Sequence, residues 1–258
     1  MSDCCCPSGK CRGHIPVAEI ISGCDRLFNM NKSRELGEYL RYWRRRAAEL
    51  GDEKGELSVL NEPMGHYRMM RDENRAVAAV RDGFDLIGRL GISGSVSAGT
   101  IFINGATALQ SFGMSKEALT YYRMAEQCFT ANLAPDDVLF AGLFNNMASA
   151  CIDEGMFQQA REYYMRALET LRTAGKLMDL AVTYVNLAQL YDALDPEDEE
   201  RIGQNLDAAL ACLDAPEAER DGYYAHTCLK CAPAFGYFGR FMDEAELEKR
   251  AEEYYERT

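Results

Sequence analysis

Small and large apolar residues recur along this chain at the three-to-four-residue spacing of a helix, not at the two-residue spacing of a strand. One block of the pattern occurs twice. Gly113-Met-Ser-Lys-Glu-Ala118-Leu-Thr-Tyr-Tyr122-Arg-Met-Ala125 aligns with Gly155-Met-Phe-Gln-Gln-Ala160-Arg-Glu-Tyr-Tyr164-Met-Arg-Ala167, 42 residues on. In each copy a large residue sits between small ones, a stripe suited to packing against neighbouring helices. The first small position recurs upstream at Ala76 and is taken by Ile202 downstream; Ala245 lies one residue beyond the next interval. Val80 and Leu206 take the tyrosine position, and Gly83 and Ala209 the second small position.

Glycines punctuate the pattern. Gly113, Gly155 and Gly239 are predicted to end the first helix of a unit, and Gly51, Gly91 and Gly175 to cap the second. Each unit then reads helix, short turn, helix, short loop. Pro135-Asp136-Asp137 reads as a helix start, with carboxylates near the positive end. Asp195 to Glu200 reads as an acidic turn inside a unit, Gly91 to Gly99 as a loop, and Thr100-Ile-Phe-Ile as apolar helix. Pro63 and Pro233 fall inside first helices, where proline removes a hydrogen bond and kinks or splits the helix. A unit of this size cannot bury its apolar face alone, so copies must stack.

The order small-x6-Gly-x4-Ala-x3-Tyr-x2-Ala, carried by Ala148, Gly155, Ala160, Tyr164 and Ala167, resembles the tetratricopeptide repeat. The usual unit is about 34 residues. The 42-residue period is similar to the longer variant of kinesin light chains and some bacterial regulators, with each helix extended by about one turn. The resemblance covers residues 55–255, and residues 16–50 fit as a degenerate first pair. It implies an all-α fold, a right-handed superhelical solenoid of about five to six antiparallel helix pairs. Residues 16–258 would form one solenoid domain, with a polar capping region at 221–258 and a flexible cysteine-rich tail at 1–15.

Aligning the units exposes a second recurrence. Asn61, Asn104, Asn146 and Asn186 each stand two residues after Val59, Phe102, Phe144 and Tyr184 in the first helix. Asparagine is a poor helix former and has no apolar reason to recur there. The resemblance implies that the first helix lines a concave groove and that this position points into it. A primary amide offers both donor and acceptor, so a row of them could hold a peptide backbone irrespective of its sequence. Alternatively, the amides tie neighbouring repeats together. Tyr67, Arg68, Gln110, Asn145 and Gln189 would share the groove. The set is mostly neutral, which disfavours the Lys/Arg carboxylate clamp of chaperone-binding repeat proteins.

Charge and cysteines narrow the partners. A formal net charge of −13 disfavours nucleic acid, and no apolar run approaches the roughly 20 residues that span a bilayer. No apolar leader segment is evident, so a reducing cytoplasm is the expected setting for the ten cysteines. Cys4, Cys5, Cys6 and Cys11 crowd the N-terminus, where thiolates could hold a soft metal such as zinc or act in thiol redox chemistry. Cys228 and Cys231 form a CxxC with His226 nearby, a spacing that also suits two thiols packed on one helix face. His66, beside Tyr67 and Arg68, reads as a surface residue, with groove-lining as the alternative; Arg41 to Arg46 reads as a solvated basic face beside a buried Trp43, with docking of an acidic partner as the alternative. No nucleotide loop and no catalytic triad is present.

The expected function is a non-catalytic scaffold or adaptor that binds a protein or extended peptide, without nucleic acid or membrane. The alternative is a metal-binding or thiol-redox protein using the N-terminal cysteines. A peptide-sensing regulator is a further possibility, although residues 1–50 leave little room for a DNA-binding helix-turn-helix.

Overall fold

The computed structural model describes residues 12–30 and 32–257. Twelve helices and no strand occur among these residues, so the fold is all-α. They fall into two compact units, Met1–Leu133 and Ala134–Thr258. The first contains α1 (Val17–Asn29), α2 (Ser33–Leu50), α3 (Glu53–Met69), α4 (Glu73–Leu90), α5 (Val96–Gln110) and α6 (Ser115–Asn132). Each helix packs against the next, and α1 on α3 and α3 on α5, so the first helices of successive pairs lie side by side. The second unit contains α7 (Leu139–Asp153), α8 (Phe157–Ala174), α9 (Leu177–Leu194), α10 (Glu199–Asp214), α11 (Gly222–Tyr237) and α12 (Phe241–Tyr255). Its neighbours pack in the same sequential way, with α9 also on α11. Each unit is thus a stack of three helix pairs.

Helix α8 shows why the sequence folds this way. Gly155 before it and Gly175 after it both take positive φ, +70° and +64°, a conformation cheap only for glycine. Between them Ala160, Tyr164, Ala167, Leu168 and Leu171 form one buried stripe at helical spacing. Ala160 and Ala167 are fully excluded from solvent, as are Ala118 and Ala125 one repeat earlier. Each large apolar side chain in such a stripe contributes about 1.5–3 kcal/mol by leaving water. Burial, then the nearby Asp153 and Cys151, push the Tyr164 hydroxyl well above the ordinary phenol range, as a core residue requires.

The repeat is also a repeat of contacts. Phe102 and Tyr121 stack with ring centroids 6.3 Å apart and planes 19° apart. Phe144 and Tyr163, each 42 residues on, stack at 6.1 Å and 20°. The other predicted glycines also have positive φ: Gly51, Gly91, Gly113 and Gly239. Arg71 stands 42 residues before Gly113 and has φ +55°, so an arginine occupies a glycine's backbone conformation.

Some expectations need correction. Neither proline splits its helix: α3 runs through Pro63 to Met69, and α11 through Pro233 to Tyr237. The Gly91–Gly99 run is a loop only as far as Ser95, whose side chain accepts a hydrogen bond from Ala98 N and starts α5. Ala245 is exposed; the true register position, Glu244, lays its carboxylate where Gly236 of α11 lacks a Cβ. Residues 12–15 are tied down: Arg12 N donates to Leu50 O, and Ile15 N donates to Asp52 Oδ2. Asp52 is buried and also caps α3 through Gly55 N. Burial alone would raise its pKa, but the hydrogen bonds from Ile15, His14 and Gly55 outweigh that and hold it below 3.8.

Two substitutions test this packing. Arg71→Gly should raise stability by about 0.5–1 kcal/mol by relieving the left-handed backbone. Ala160→Leu should lower stability by about 1–3 kcal/mol through overpacking, whereas Ala245→Leu should stay within about 0.5 kcal/mol of the parent. Denaturant unfolding of the three variants measures both; equal losses at 160 and 245 would contradict the crossing-point assignment.

Candidate functional site

The first unit has a cleft of about 350 Å³ lined by α1, α3 and α5, with Leu36 and Leu40 of α2. Asn61 and Asn104 line it, with Thr107, Arg68 and His66. The stacking of first helices brings the asparagines together: Asn104 Nδ2 donates to Asn61 Oδ1 at 2.8 Å. In this amide orientation the pair leaves the Asn61 NH2 as donor and the Asn104 carbonyl as acceptor, the two functions a peptide group complements.

One corner of the cleft is acidic. Asp25 and Cys24 come from α1, and Glu62 follows Asn61 on α3. Burial, then the charge of Asp25, raise the Glu62 carboxyl above 4.5. Burial, then Glu62 and Asp25, push the Cys24 thiol up to about 11, which makes it an unreactive core thiol. Phe28 and Met69 line the same cleft and are 55% and 52% exposed, so they form an apolar rim. His66, expected at the surface, is instead only 6% exposed, with its ring against Gly37. Burial, then the charge of Arg41, lower its pKa below 6.5.

The remaining candidates divide. Arg68 lines the cleft. Tyr67 is buried on the other side of α3, lining a smaller cavity with Leu40, Pro63 and Ala78 and lying under the Arg75 guanidinium. Gln110 Oε1 accepts from the Tyr122 hydroxyl at 3.1 Å, a tie within one helix pair.

In the second unit Asn145, not its neighbour Asn146, makes the inter-repeat bond. Its Nδ2 donates to Thr183 Oγ1 of α9 at 3.0 Å and to Ala141 O at 3.1 Å, and its Oδ1 is buried without a partner. Asn146 and Asn186 are half-buried and make no hydrogen bond among the described residues; Gln189 is exposed. Tyrosines complete the ties between first helices: Tyr223 donates to Asp179 at 2.6 Å and Tyr237 to Asp192 at 3.0 Å. The asparagine column signalled part of this face. Asp25, Glu62 and His66 carried no periodic signal, because only the crossing of α1 with α3 makes them neighbours.

Cys4, Cys5, Cys6 and Cys11 lie outside the described residues. Among the described residues no three His, Cys, Asp or Glu side chains come together to hold a metal, and no helix is long and apolar enough to cross a membrane. Cys228 and Cys231 are buried in the core of the second unit, and burial pushes their thiols up to about 11 and about 12. They pack as small hydrophobes.

Residues 139–204 match the family model of the tetratricopeptide repeat. No curated protein matches the chain in sequence. The fold is that of tetratricopeptide-like proteins of known structure. BtubC (BKLC) from P. vanneervenii is similar with a TM-score of 0.60 at 18% identity, over 93% of this chain and 91% of that one. A putative kinesin light chain of nearly identical TPR-like repeats from Podospora anserina gives 0.57 at 16% identity, over 76% and 93%. Rap protein complexed with Competence and Sporulation Factor gives 0.63 at 13% identity, over 95% and 66%.

His66 supplies a pH test. Its lowered pKa means that the fold favours the neutral ring. The unfolded chain therefore binds the proton first as pH falls, and the associated stability, present above 6.5, is lost between 6.5 and the lower native value. Glu62 acts oppositely and at lower pH, because its raised pKa favours protonation in the fold as pH falls towards 4.5. The melting temperature should drop from about pH 7.5 to about pH 5.5, less steeply in His66→Gln than in the parent. Identical slopes in the two proteins would show that His66 contributes nothing to this dependence.

Proposed function

We propose that the protein is a non-catalytic binding scaffold that holds an extended peptide segment of a partner protein on the faces formed by its first helices. The carrying observation is the Asn61–Asn104 pair in a concave cleft, where one bond ties two repeats while a donor and an acceptor are left over. The tethering and ligand-binding roles of the asparagines are therefore compatible. Asn146 and Asn186 offer half-buried amides on the second unit in the corresponding register. Polar groups spaced along stacked helices suit a backbone, whose N–H and C=O groups recur at every residue.

The Rap protein with a similar fold, complexed with Competence and Sporulation Factor, supports a binding role for this kind of helix stack. Six free thiols among the described residues, five of them buried, fit a reducing cytoplasmic setting. The negative net charge favours protein over nucleic acid as partner.

The reading is tested with a library of random displayed peptides selected on the full chain. Selected peptides should lose at least about tenfold in affinity, about 1.4 kcal/mol, for the Asn104→Ala/Asn146→Ala double variant. An unchanged melting temperature shows that the variant is folded. Undiminished affinity would remove the asparagines from the binding surface.

A further inference from the structure

We propose that the acidic corner of the first unit's cleft receives the cationic side chain of the bound peptide, a lysine or arginine, with its head between Asp25 and Glu62 and its stem along Phe28 and Met69. The inference rests on the reading that this face holds a peptide, and it specifies what that peptide must carry.

The corner brings two carboxylates without an ion pair among the described residues into one cleft. Glu53, Glu56, Asp72 and Asp82 are each within ion-pair distance of an arginine. Asp25 and Glu62 make no ion pair among the described residues, although both line a concave cleft. Glu62 is half-buried beside the exposed Asp25; a carboxylate partly removed from water next to a second negative charge is costly without a counter-charge, and the raised Glu62 pKa reports that cost. Arg68 lines the same cleft yet pairs with neither, and the Glu62 carboxyl responds to burial and to Asp25.

His66 is an independent pointer to a ligand. Its side chain lines the cleft at 6% exposure and makes no hydrogen bond among the described residues. A buried imidazole kept neutral by burial and by Arg41 retains a lone pair, which an ammonium or guanidinium N–H would satisfy.

The class of cation follows from the walls. A metal ion is disfavoured, because no three metal-ligating side chains converge among the described residues. An organic cation on a methylene stem matches an acidic corner rimmed by an exposed aromatic ring and a thioether. A volume of about 350 Å³ accommodates one such side chain. The Asn61–Asn104 pair in the same cleft lies where it could hold the peptide group of that residue.

The test uses Nα-acetyl-arginine amide and its neutral isostere, Nα-acetyl-citrulline amide, titrated into the isotopically labelled full chain. The arginine probe should shift the side-chain amide signals of Asn61 and Asn104 and the ring signals of His66. The citrulline probe should bind at least about tenfold more weakly. Asp25→Asn/Glu62→Gln, which conserves shape, should weaken the arginine probe by a similar factor at an unchanged melting temperature. Equal binding of the two probes, or full affinity in the double variant, would overturn the proposal. The peptide selection separates the two readings. Binders that depend on Asn104 and Asn146 but show no excess of Lys or Arg would sink the cation corner and leave the scaffold reading intact. Arginine-probe binding without any asparagine-dependent peptide would support the corner and remove the scaffold's amide row.

Discussion

Three helix pairs of this protein close on a buried alanine at one register position, which Ile202 and Glu244 take in the last two pairs. Ala76, Ala118 and Ala160 are fully excluded from solvent, and the large residues Val80, Tyr122 and Tyr164 fill the next turn. Backbones that approach this closely fix the angle and register of the pair, so later contacts inherit the same geometry. The two aromatic stacks, matched within 0.2 Å and 1°, are the outcome. Where the constraint loosens, the chain compensates locally. At the last pair Glu244 replaces the small residue, and Gly236 opposite supplies the missing space.

Between successive first helices the bonding changes character. Asn61–Asn104, Asn145–Thr183, Asp179–Tyr223 and Asp192–Tyr237 are polar ties, each from a first helix to the first helix of the next pair. Their settings differ: the Tyr223 and Tyr237 ties are exposed and stay hydrated, whereas the Asn145–Thr183 tie is withdrawn from water and leaves Asn145 Oδ1 buried without a partner. In the proposed scaffold the Asn61–Asn104 pair would serve both ends: one bond ties neighbouring repeats, and a donor and an acceptor are left over in the cleft.

Electrostatics divide the outer and inner sides of the first unit. On the outer side Arg44 bridges Glu56 and Asp82, joining α2, α3 and α4. Such partly exposed pairs neutralise an acidic chain where helices meet. The inner cleft keeps Asp25 and Glu62 apart from that network. The described cysteines follow burial rather than reactivity: Cys24, Cys228 and Cys231 all have raised pKa values.

The all-α class, the paired helices and their glycine boundaries were legible from the chain alone, because helical spacing and left-handed glycines are local properties repeated at one interval. The pairing of Asn61 with Asn104 was legible for the same reason, as was the packing of the CxxC thiols, whereas the second unit's tie falls on Asn145, one residue off that register. The sequence could not place residues whose neighbours lie outside the period. Tyr67 and Arg68 are adjacent in sequence, yet the turn of α3 sends one into the core and the other into the cleft. His66 was legible only as a scattered histidine until α2 and α3 closed around it. Asp25 and Glu62, 37 residues apart and off the repeat, meet because α1 packs on α3. Periodicity therefore determined which surfaces exist, since it reports the pattern each helix buries. Tertiary packing alone decided which charges and amides share a cleft, since that depends on how separate helices cross.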